Sequence, residues 1–513
     1  MMPNQSHFSI NQTLLGLGID LAATGFVDNH CRNLVNDSRQ VNANDIFAAV
    51  IGTQKDAKQF IDTAVQNGAA LVIYQCQQPQ QHGQVTMLEG ASGQVPSVAF
   101  YQLAKQLHLL AANYYNNPAD TMTLVGVTGT NGKTSCCQLL AQLLSTKSNK
   151  SAIIGTLGAG TLDNLVDINN TTPGPTLLQQ LLAEFTAQQV NTVAMEVSSH
   201  ALHQHRLNSE MLDIAVFTNL SRDHLDYHGD MQSYADAKKA MFVANGTQKW
   251  VINADDAIGK QWLYSLPDTN PKMAFAIDAD ESEFAGWHYL IACDLDCHNN
   301  GIRFTLKSSF GQCQLDSPLL GEFNVANLLA VIAVALLQGI TLADLPDLVA
   351  NLQPVAGRME VFSAANAPTA VVDYAHTPDG LEQALRSATA HCQGKLWAVF
   401  GCGGDRDKGK RALMGAIAEQ YADHIVLTND NPRTEQPETI AADIAKGIKA
   451  QDKTTTILDR QQAVLSTLSN ASSDDMVLLA GKGHEDYLII GEQTIAYHER
   501  EVVRQFYLQR EGQ

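Results

Sequence analysis

Thr123-Leu124-Val125-Gly126-Val127-Thr128-Gly129-Thr130-Asn131-Gly132-Lys133-Thr134 sets an apolar run directly before a glycine-rich turn that closes on a lysine and a threonine. This order reads as strand, phosphate loop, helix. Glycines let backbone N–H groups converge on phosphate oxygens, the helix starting near Lys133 adds its positive end, Lys133 reaches the outer phosphates and Thr134 can hold Mg²⁺. Gly129, Thr130, Asn131, Gly132, Lys133 and Thr134 are therefore expected to bind ATP. Position 127 is Val where the usual G-x-x-x-x-G-K-[ST] formula has Gly, which points away from motors and GTPases.

From this loop outward, apolar strands at Thr192 to Met195, Ile214 to Thr218 and Trp250 to Asn253 alternate with helical segments, which predicts a mostly parallel sheet with covered faces. Before the loop, about 110 residues hold short strand and helix signals and read as a small α/β domain. Near Gln353-Pro354 a third unit begins, with strands at Ala370 to Val372, Leu396 to Phe400, Ile425 to Thr428 and Met476 to Ala480. The expected fold is thus α/β in three domains: an N-terminal domain over 1–112, a central P-loop ATPase-like domain over 113–352, and a C-terminal Rossmann-like domain over 353–513. A length of 513 residues agrees with about three cores.

Composition excludes several classes. Hydrophobic residues at 45% and charged residues at 17% are those of a folded globular protein. A net charge of −20 argues against nonspecific nucleic-acid binding and against an anionic membrane surface. The start Met1-Met2-Pro3-Asn4-Gln5-Ser6 lacks a secretory pattern, and the longest apolar stretch, Leu328 to Leu337, is too short to span a bilayer, so a cytoplasmic protein without membrane insertion is expected. Nine cysteines suit free thiols in a reducing compartment. Cys293, Cys297 and His298 have no second ligand pair at finger spacing, and structural zinc is not expected.

Two further strand ends carry chemistry. Glu196 follows Met195, and Asn219 to His228 follow another strand with Asp223, His224 and His228. Mg²⁺ takes oxygen ligands from phosphates and one or two carboxylates, a role open to Glu196 beside Thr134.

Taken together, Gly129 to Thr134, Met195 to His200, Asn219 to Gly229, Gly321 to Asn327, Gly357-Arg358-Met359-Glu360 and Asp373-Tyr374-Ala375-His376-Thr377-Pro378 resemble, in order, the motifs of the Mur ligases. These are ATP-dependent amide-forming enzymes of peptidoglycan assembly. Asp430-Asn431-Pro432-Arg433 and Gly481-Lys482-Gly483-His484-Glu485 are most similar to members that add meso-diaminopimelate to UDP-N-acetylmuramoyl-L-alanyl-D-glutamate. The resemblance implies an acyl-phosphate route, a catalytic group of Lys133, Glu196, His224 and Lys238, and a monomer. It implies Mg²⁺ held by Thr134, Glu196 and His224, with Lys238 as a carbamate formed from CO₂. It further implies nucleotide contacts at Asn324, Asn327, Arg358, Asp373 and His376. UDP-substrate contacts are implied at Ser38, Thr53, Gln54, Lys55, Asn170, Thr171, Thr172, Ser198, Gln204 and Arg206. The segment Asp56-Ala57-Lys58 departs from the Asp-Gly-His of many relatives and receives no role.

Diaminopimelate carries a second amino-acid centre whose carboxylate needs a cation and whose ammonium needs an anion. Arg406 and Arg433 suit the first, Glu485 the second, with Asp430, Asn431, Pro432 and Gly481 completing the site. Three alternatives remain open at this point: a sister ligase adding L-lysine, a folylpolyglutamate synthetase, and a P-loop ATPase or nucleotide-binding regulator without ligation. Arg433 opposes a lysine side chain, which ends in an ammonium, and the folate enzyme has no need of a uridine-type amino-terminal domain.

Overall fold

The computed structural model describes residues 8–28, 31–52, 56–90, 93–145, 149–298 and 301–511. It divides into two compact units, one comprising Met1–Gly126, Leu144–Ala215 and Ala237–Gln248, the other Val127–Leu143, Val216–Asp236 and Lys249–Gln513.

The first unit opens with a five-stranded sheet in the order Leu34–Val35, Ile46–Ala49, Leu71–Cys76, Gly93–Tyr101, Val85–Gly90. Its strands are parallel except the last. Alternation sorts the side chains by face. Ile46, Ala48, Leu71 and Ile73 meet Leu103, Leu107, Leu110 and Tyr114, spaced as one face of helix Leu103–Tyr114, while Phe47, Ala49 and Val72 pack on Ala64 and Val65. In the same unit, strand Ser151–Gly155 pairs parallel with Thr192–Glu196 and continues antiparallel through Gly158–Thr161 to Asn164–Val166.

In the second unit Lys249–Asn253, Lys272–Ile277 and His288–His298 are parallel, and Gly301–Ser308 and Gly311–Ser317 extend them as an antiparallel meander. The apolar stretch read from the sequence is helix Glu322–Leu337, buried along nearly its whole length. Among the described residues no helix is long and apolar enough to cross a membrane.

The C-terminal sheet of this unit runs Glu360–Phe362, Thr369–Asp373, Met476–Ala480, Leu396–Phe400, His424–Leu427, Thr454–Thr456, parallel except for the first strand. Residues 371, 398, 400, 425 and 478 face one apolar layer and 370, 372, 399, 426 and 477 the other, as period-two alternation in a doubly covered sheet requires. The last strand in sequence, Met476–Ala480, lies between the first two parallel strands. Four neighbouring strands therefore end together, the arrangement that offers a ligand crevice.

Candidate active site

In the first unit Glu196 ends its strand buried at 2% exposure. Its Oε1 accepts from Thr156 N at 2.8 Å, and its Oε2 from the Thr156 hydroxyl at 3.2 Å. A Cβ at Gly155 would fall 2.3 Å from Oε1, so glycine there makes room for the carboxylate. Around it gather residues scattered in sequence. Thr156 and Thr171 hydroxyls are 3.0 Å apart, Thr172 Oγ1 donates to Glu196 O at 2.8 Å, and Ser198 N donates to Thr172 Oγ1 at 3.0 Å. Arg206 Nη1 donates to Thr172 O at 2.8 Å and Arg206 Nη2 to Gln204 Oε1 at 2.8 Å. Thr171, Thr172, Ser198, Gln204 and Arg206 thus form one cluster beside Glu196, with Asn170 exposed next to Thr171. Lys238 is 1% exposed, whereas its neighbour Lys239 is half-buried, a difference the sequence could not display.

Ser38 is buried in a short 3₁₀ turn capped by Asp37, whose carboxylate also holds Arg39 at 2.6 Å. The Arg39 hydrogen bond keeps the Asp37 carboxyl below its ordinary value. Thr53, Gln54 and Lys55 lie outside the described residues.

In the second unit the phosphate loop enters helix Lys133–Leu144. Gly129 and Gly132 have φ of 156° and 87°. A Cβ at either would strike Thr218 Oγ1 at 1.9 Å or Asn327 Oδ1 at 2.3 Å, so both positions require glycine. The segment Thr218 to Ser221 braces the loop. Asn131 N donates to Asn219 Oδ1 at 2.9 Å, Thr218 Oγ1 to Asn131 O at 2.6 Å, and Ser221 N to Thr130 Oγ1 at 3.0 Å. Lys133 Nζ donates to Gly129 O and Thr130 O at 2.8 and 2.9 Å, holding its ammonium inside the loop. Asn324 and Asn327 bond each other at 3.1 Å, and Arg358 Nη2 donates to Thr134 Oγ1 at 3.3 Å.

Asp373 spends both oxygens on backbone, accepting from Met359 N and Ala375 N at 2.8 Å each. Burial pushes its carboxyl up against the pull of Arg358. His376 Nδ1 faces Tyr374 O at 2.9 Å, which makes Nδ1 the protonated nitrogen. Burial, and then Lys410, hold this imidazole below its ordinary value. His224 is exposed, with φ of 53° and Nε2 3.3 Å from Asp223.

At the ends of the C-terminal strands, residues expected from the sequence to meet the amino acid come together. Asp430 and Glu485 both face Lys482, whose Nζ lies 3.3 Å from Asp430 Oδ1 and 2.5 Å from Glu485 Oε2. Lys482 also donates to Asn431 Oδ1 at 3.1 Å, and Asn431 Nδ2 to Glu485 Oε2 at 3.1 Å. Burial raises the Asp430 carboxyl, but Lys482 and Arg460 overcome it and the net displacement is downward. Two carboxylates and one ammonium leave the cluster with a single negative charge. Arg433 stands beside it with φ of 51°, a left-handed geometry pinned by Arg433 N donating to Ile489 O at 3.1 Å and Gly491 N donating to Arg433 O at 2.7 Å. Among the described residues only Nη1 of its guanidinium bonds protein, to Gly404 O at 2.9 Å and Asn431 O at 3.4 Å. A Cβ at Gly403 would sit 3.0 Å from Arg433 Nη1 and 3.7 Å from Arg406 Cγ, so that glycine separates the two cations. Gly481, with φ of 109°, sits against Asp430.

Sequence reasoning missed Lys482, which balances Asp430 and Glu485. The available signal was a lysine between two glycines directly after an apolar strand.

The Mur ligase middle domain matches residues 127–335, and the Mur ligase glutamate ligase domain matches residues 357–483. A curated Haemophilus influenzae relative, UDP-N-acetylmuramoyl-L-alanyl-D-glutamate--2,6-diaminopimelate ligase, is 45% identical over 480 residues, 93% of this chain and 96% of its own. A solved structure of a ligase of that name is similar with a TM-score of 0.65 at 35% identity, over 94% of this chain and 95% of that one. UDP-N-acetylmuramoylalanyl-D-glutamyl-2,6-diaminopimelate--D-alanyl-D-alanyl ligase from Acinetobacter baumannii shares the fold at a TM-score of 0.62 and 18% identity, over 93% of each chain. With a loop built for phosphate, a buried carboxylate cluster and a charged crevice at the C-terminal sheet, the chain belongs to the Mur ligase family.

Proposed function

We propose that the chain is the ATP-dependent ligase that joins meso-2,6-diaminopimelate to UDP-N-acetylmuramoyl-L-alanyl-D-glutamate in peptidoglycan precursor synthesis. The near full-length identity to relatives of that name carries the reading. The site agrees with it: a crevice offering one net negative charge beside Arg433 and Arg406 matches an amino-acid centre with both an ammonium and a carboxylate. A lysine side chain has no carboxylate to offer those cations.

In this reading residues 1–112 hold the UDP end through Ser38 and Thr53 to Lys55, and residues 113–352 hold ATP. Residues 353–513 hold the amino acid, and the protein acts as a cytoplasmic monomer. The glutamate carboxylate takes the γ-phosphate of ATP, and the amine of diaminopimelate then attacks the acyl phosphate and expels phosphate. Lys133 exchanges its loop carbonyls for phosphate oxygens and stabilises charge passed between them. Asn324, Asn327, Arg358, Asp373 and His376 surround the nucleotide, while Asn170, Thr171, Thr172, Ser198, Gln204 and Arg206 orient the muramoyl-dipeptide.

Oxygen donors at Thr134 and Glu196 are of the kind Mg²⁺ takes, and Thr156 orients the Glu196 carboxylate. In this reading the ion takes its remaining oxygens from phosphate and from a carbamate at Lys238. With His224, these residues would hold Mg²⁺, which supplies charge neutralisation at the transferred phosphate.

One incubation tests the reading: ATP, Mg²⁺, the UDP-muramoyl-dipeptide and an equal mixture of diaminopimelate and lysine, with the product read by mass. A diaminopimelate-containing product is expected. A lysine product, or ATP hydrolysis indifferent to the amino acid, overturns it.

A further inference from the structure

Tyr374 stands at the end of strand Thr369–Asp373, between groups assigned to two different reactants, and has no role in the reading so far. On one side the Arg358 guanidinium lies 4.3 Å from its ring centroid, and Arg358 reaches Thr134 of the phosphate loop at 3.3 Å. On the other, Tyr374 Oη donates to Glu485 Oε1 at 3.3 Å, while Lys482 and Asn431 occupy Oε2. His376 and His484 flank the ring at centroid distances of 4.8 and 5.0 Å.

The backbone beneath leaves the ring little freedom. A Cβ at Gly357 would fall 2.2 Å from the Gly483 carbonyl carbon, and one at Gly483 would fall 2.7 Å from Tyr374 Cβ. The three segments carrying Arg358, Tyr374 and Glu485 thus lie backbone against backbone, and the ring cannot shift without moving a neighbour. Burial, and then Glu485, keep the phenol above its ordinary value, so it remains a donor.

We propose that Tyr374 is a positioning residue that couples nucleotide at the phosphate loop to the amino acid at Glu485. The proposal rests on the ligase reading above. Phosphate oxygens near Thr134 draw on Arg358, the ring under Arg358 follows, and its hydroxyl sets the Glu485 oxygen that meets the ammonium. Coupling of this kind is reciprocal, since each ligand changes the other's affinity by the same factor.

The test uses the full chain with the UDP-muramoyl-dipeptide present. Binding of meso-diaminopimelate is measured by calorimetry with and without β,γ-methylene-ATP and Mg²⁺, and KM for each substrate is measured in the complete assay. In the wild type the nucleotide should tighten amino-acid binding about fivefold or more, and Tyr374→Phe should reduce that factor below about twofold. The same variant should leave β,γ-methylene-ATP bound without diaminopimelate near its wild-type affinity, and in the complete assay should raise KM for both substrates by similar factors. Tyr374→Leu, which also removes the ring under Arg358, should in addition weaken the nucleotide bound alone. The proposal is overturned if the wild type shows no nucleotide effect, if Tyr374→Phe keeps the wild-type factor, or if it weakens the nucleotide bound alone as much as it weakens the nucleotide beside diaminopimelate. A wild type that forms no diaminopimelate product fails the ligase reading itself; one that forms it while Tyr374→Phe behaves identically fails the coupling alone.

Discussion

Lys133 donates to Gly129 O and Thr130 O within its own loop, and in the proposed reading its removal costs charge at the phosphate rather than core packing. Lys133→Ala should lower ligation about a hundredfold or more with an unchanged melting curve. Full activity would remove the phosphate-loop argument. In the proposed reading Lys238, buried where Lys239 is not, carries the carbamate. Lys238→Ala should nearly abolish turnover, with partial recovery on adding short carboxylic acids that return oxygen ligands; normal turnover would falsify the assignment. In the proposed reading Arg433 carries specificity. Removing one partner of a desolvated charge pair costs on the order of 2–5 kcal/mol, so Arg433→Ala should weaken use of diaminopimelate tenfold or more and leave KM for ATP nearly unchanged. If competition kinetics return the wild-type ratio of kcat/KM for diaminopimelate over lysine, Arg433 does not read the distal carboxylate.

At the scale of elements, the parallel strands were legible because each is a short apolar run ending in glycine, asparagine or a charged residue. Thr192–Glu196, Leu396–Phe400 and Met476–Ala480 fall where that pattern places them. The hairpin Tyr487–Ile490 with Gln493–Ala496 was not legible, since its strands are only four residues long and Ile490 and Ile495 point outward. Yet this hairpin fixes the left-handed turn at Arg433, so the motif was readable while the element that aims it was hidden. Buried ion pairs are likewise invisible in one sequence. Arg460 and Glu499, both fully buried, join helices Arg460–Asn470 and Glu499–Glu511, and Arg460 also donates to Asn429 O and Ala480 O at 3.0 and 2.9 Å. Arg460→Met leaves Glu499 buried and unpaired and should cost about 3–5 kcal/mol in urea unfolding. A variant within about 1 kcal/mol of wild type would show that Glu499 tolerates the loss of its charged partner.

For the whole molecule, a net charge of −20 makes the response to acid a sum of opposing terms, because protonation relieves repulsion but releases carboxylates from their partners. Glu435 identifies the second term. Its oxygens accept from the buried Arg411 at 2.8 and 3.1 Å and from Asp405 N at 2.7 Å, and Arg411 first, then that N–H, lower its carboxyl to about 2. A carboxyl lowered in the folded state binds its proton more weakly there than in the unfolded chain. Its stabilisation is therefore complete above the ordinary value of 4.5 and is lost as the pH falls toward about 2. Asp443, which shares Arg411 at 3.0 Å, is displaced in the same direction, by Lys446 first and then by Arg411. Glu435→Gln should accordingly lower Tm at neutral pH, since Arg411 is 1% exposed and loses a charged partner. It should also lose less Tm than wild type between about pH 5 and about pH 3, because the titrating group is gone. If the two proteins lose Tm in parallel over that interval, the Arg411 pairs do not govern acid lability, and the cause lies in carboxylates elsewhere in the chain.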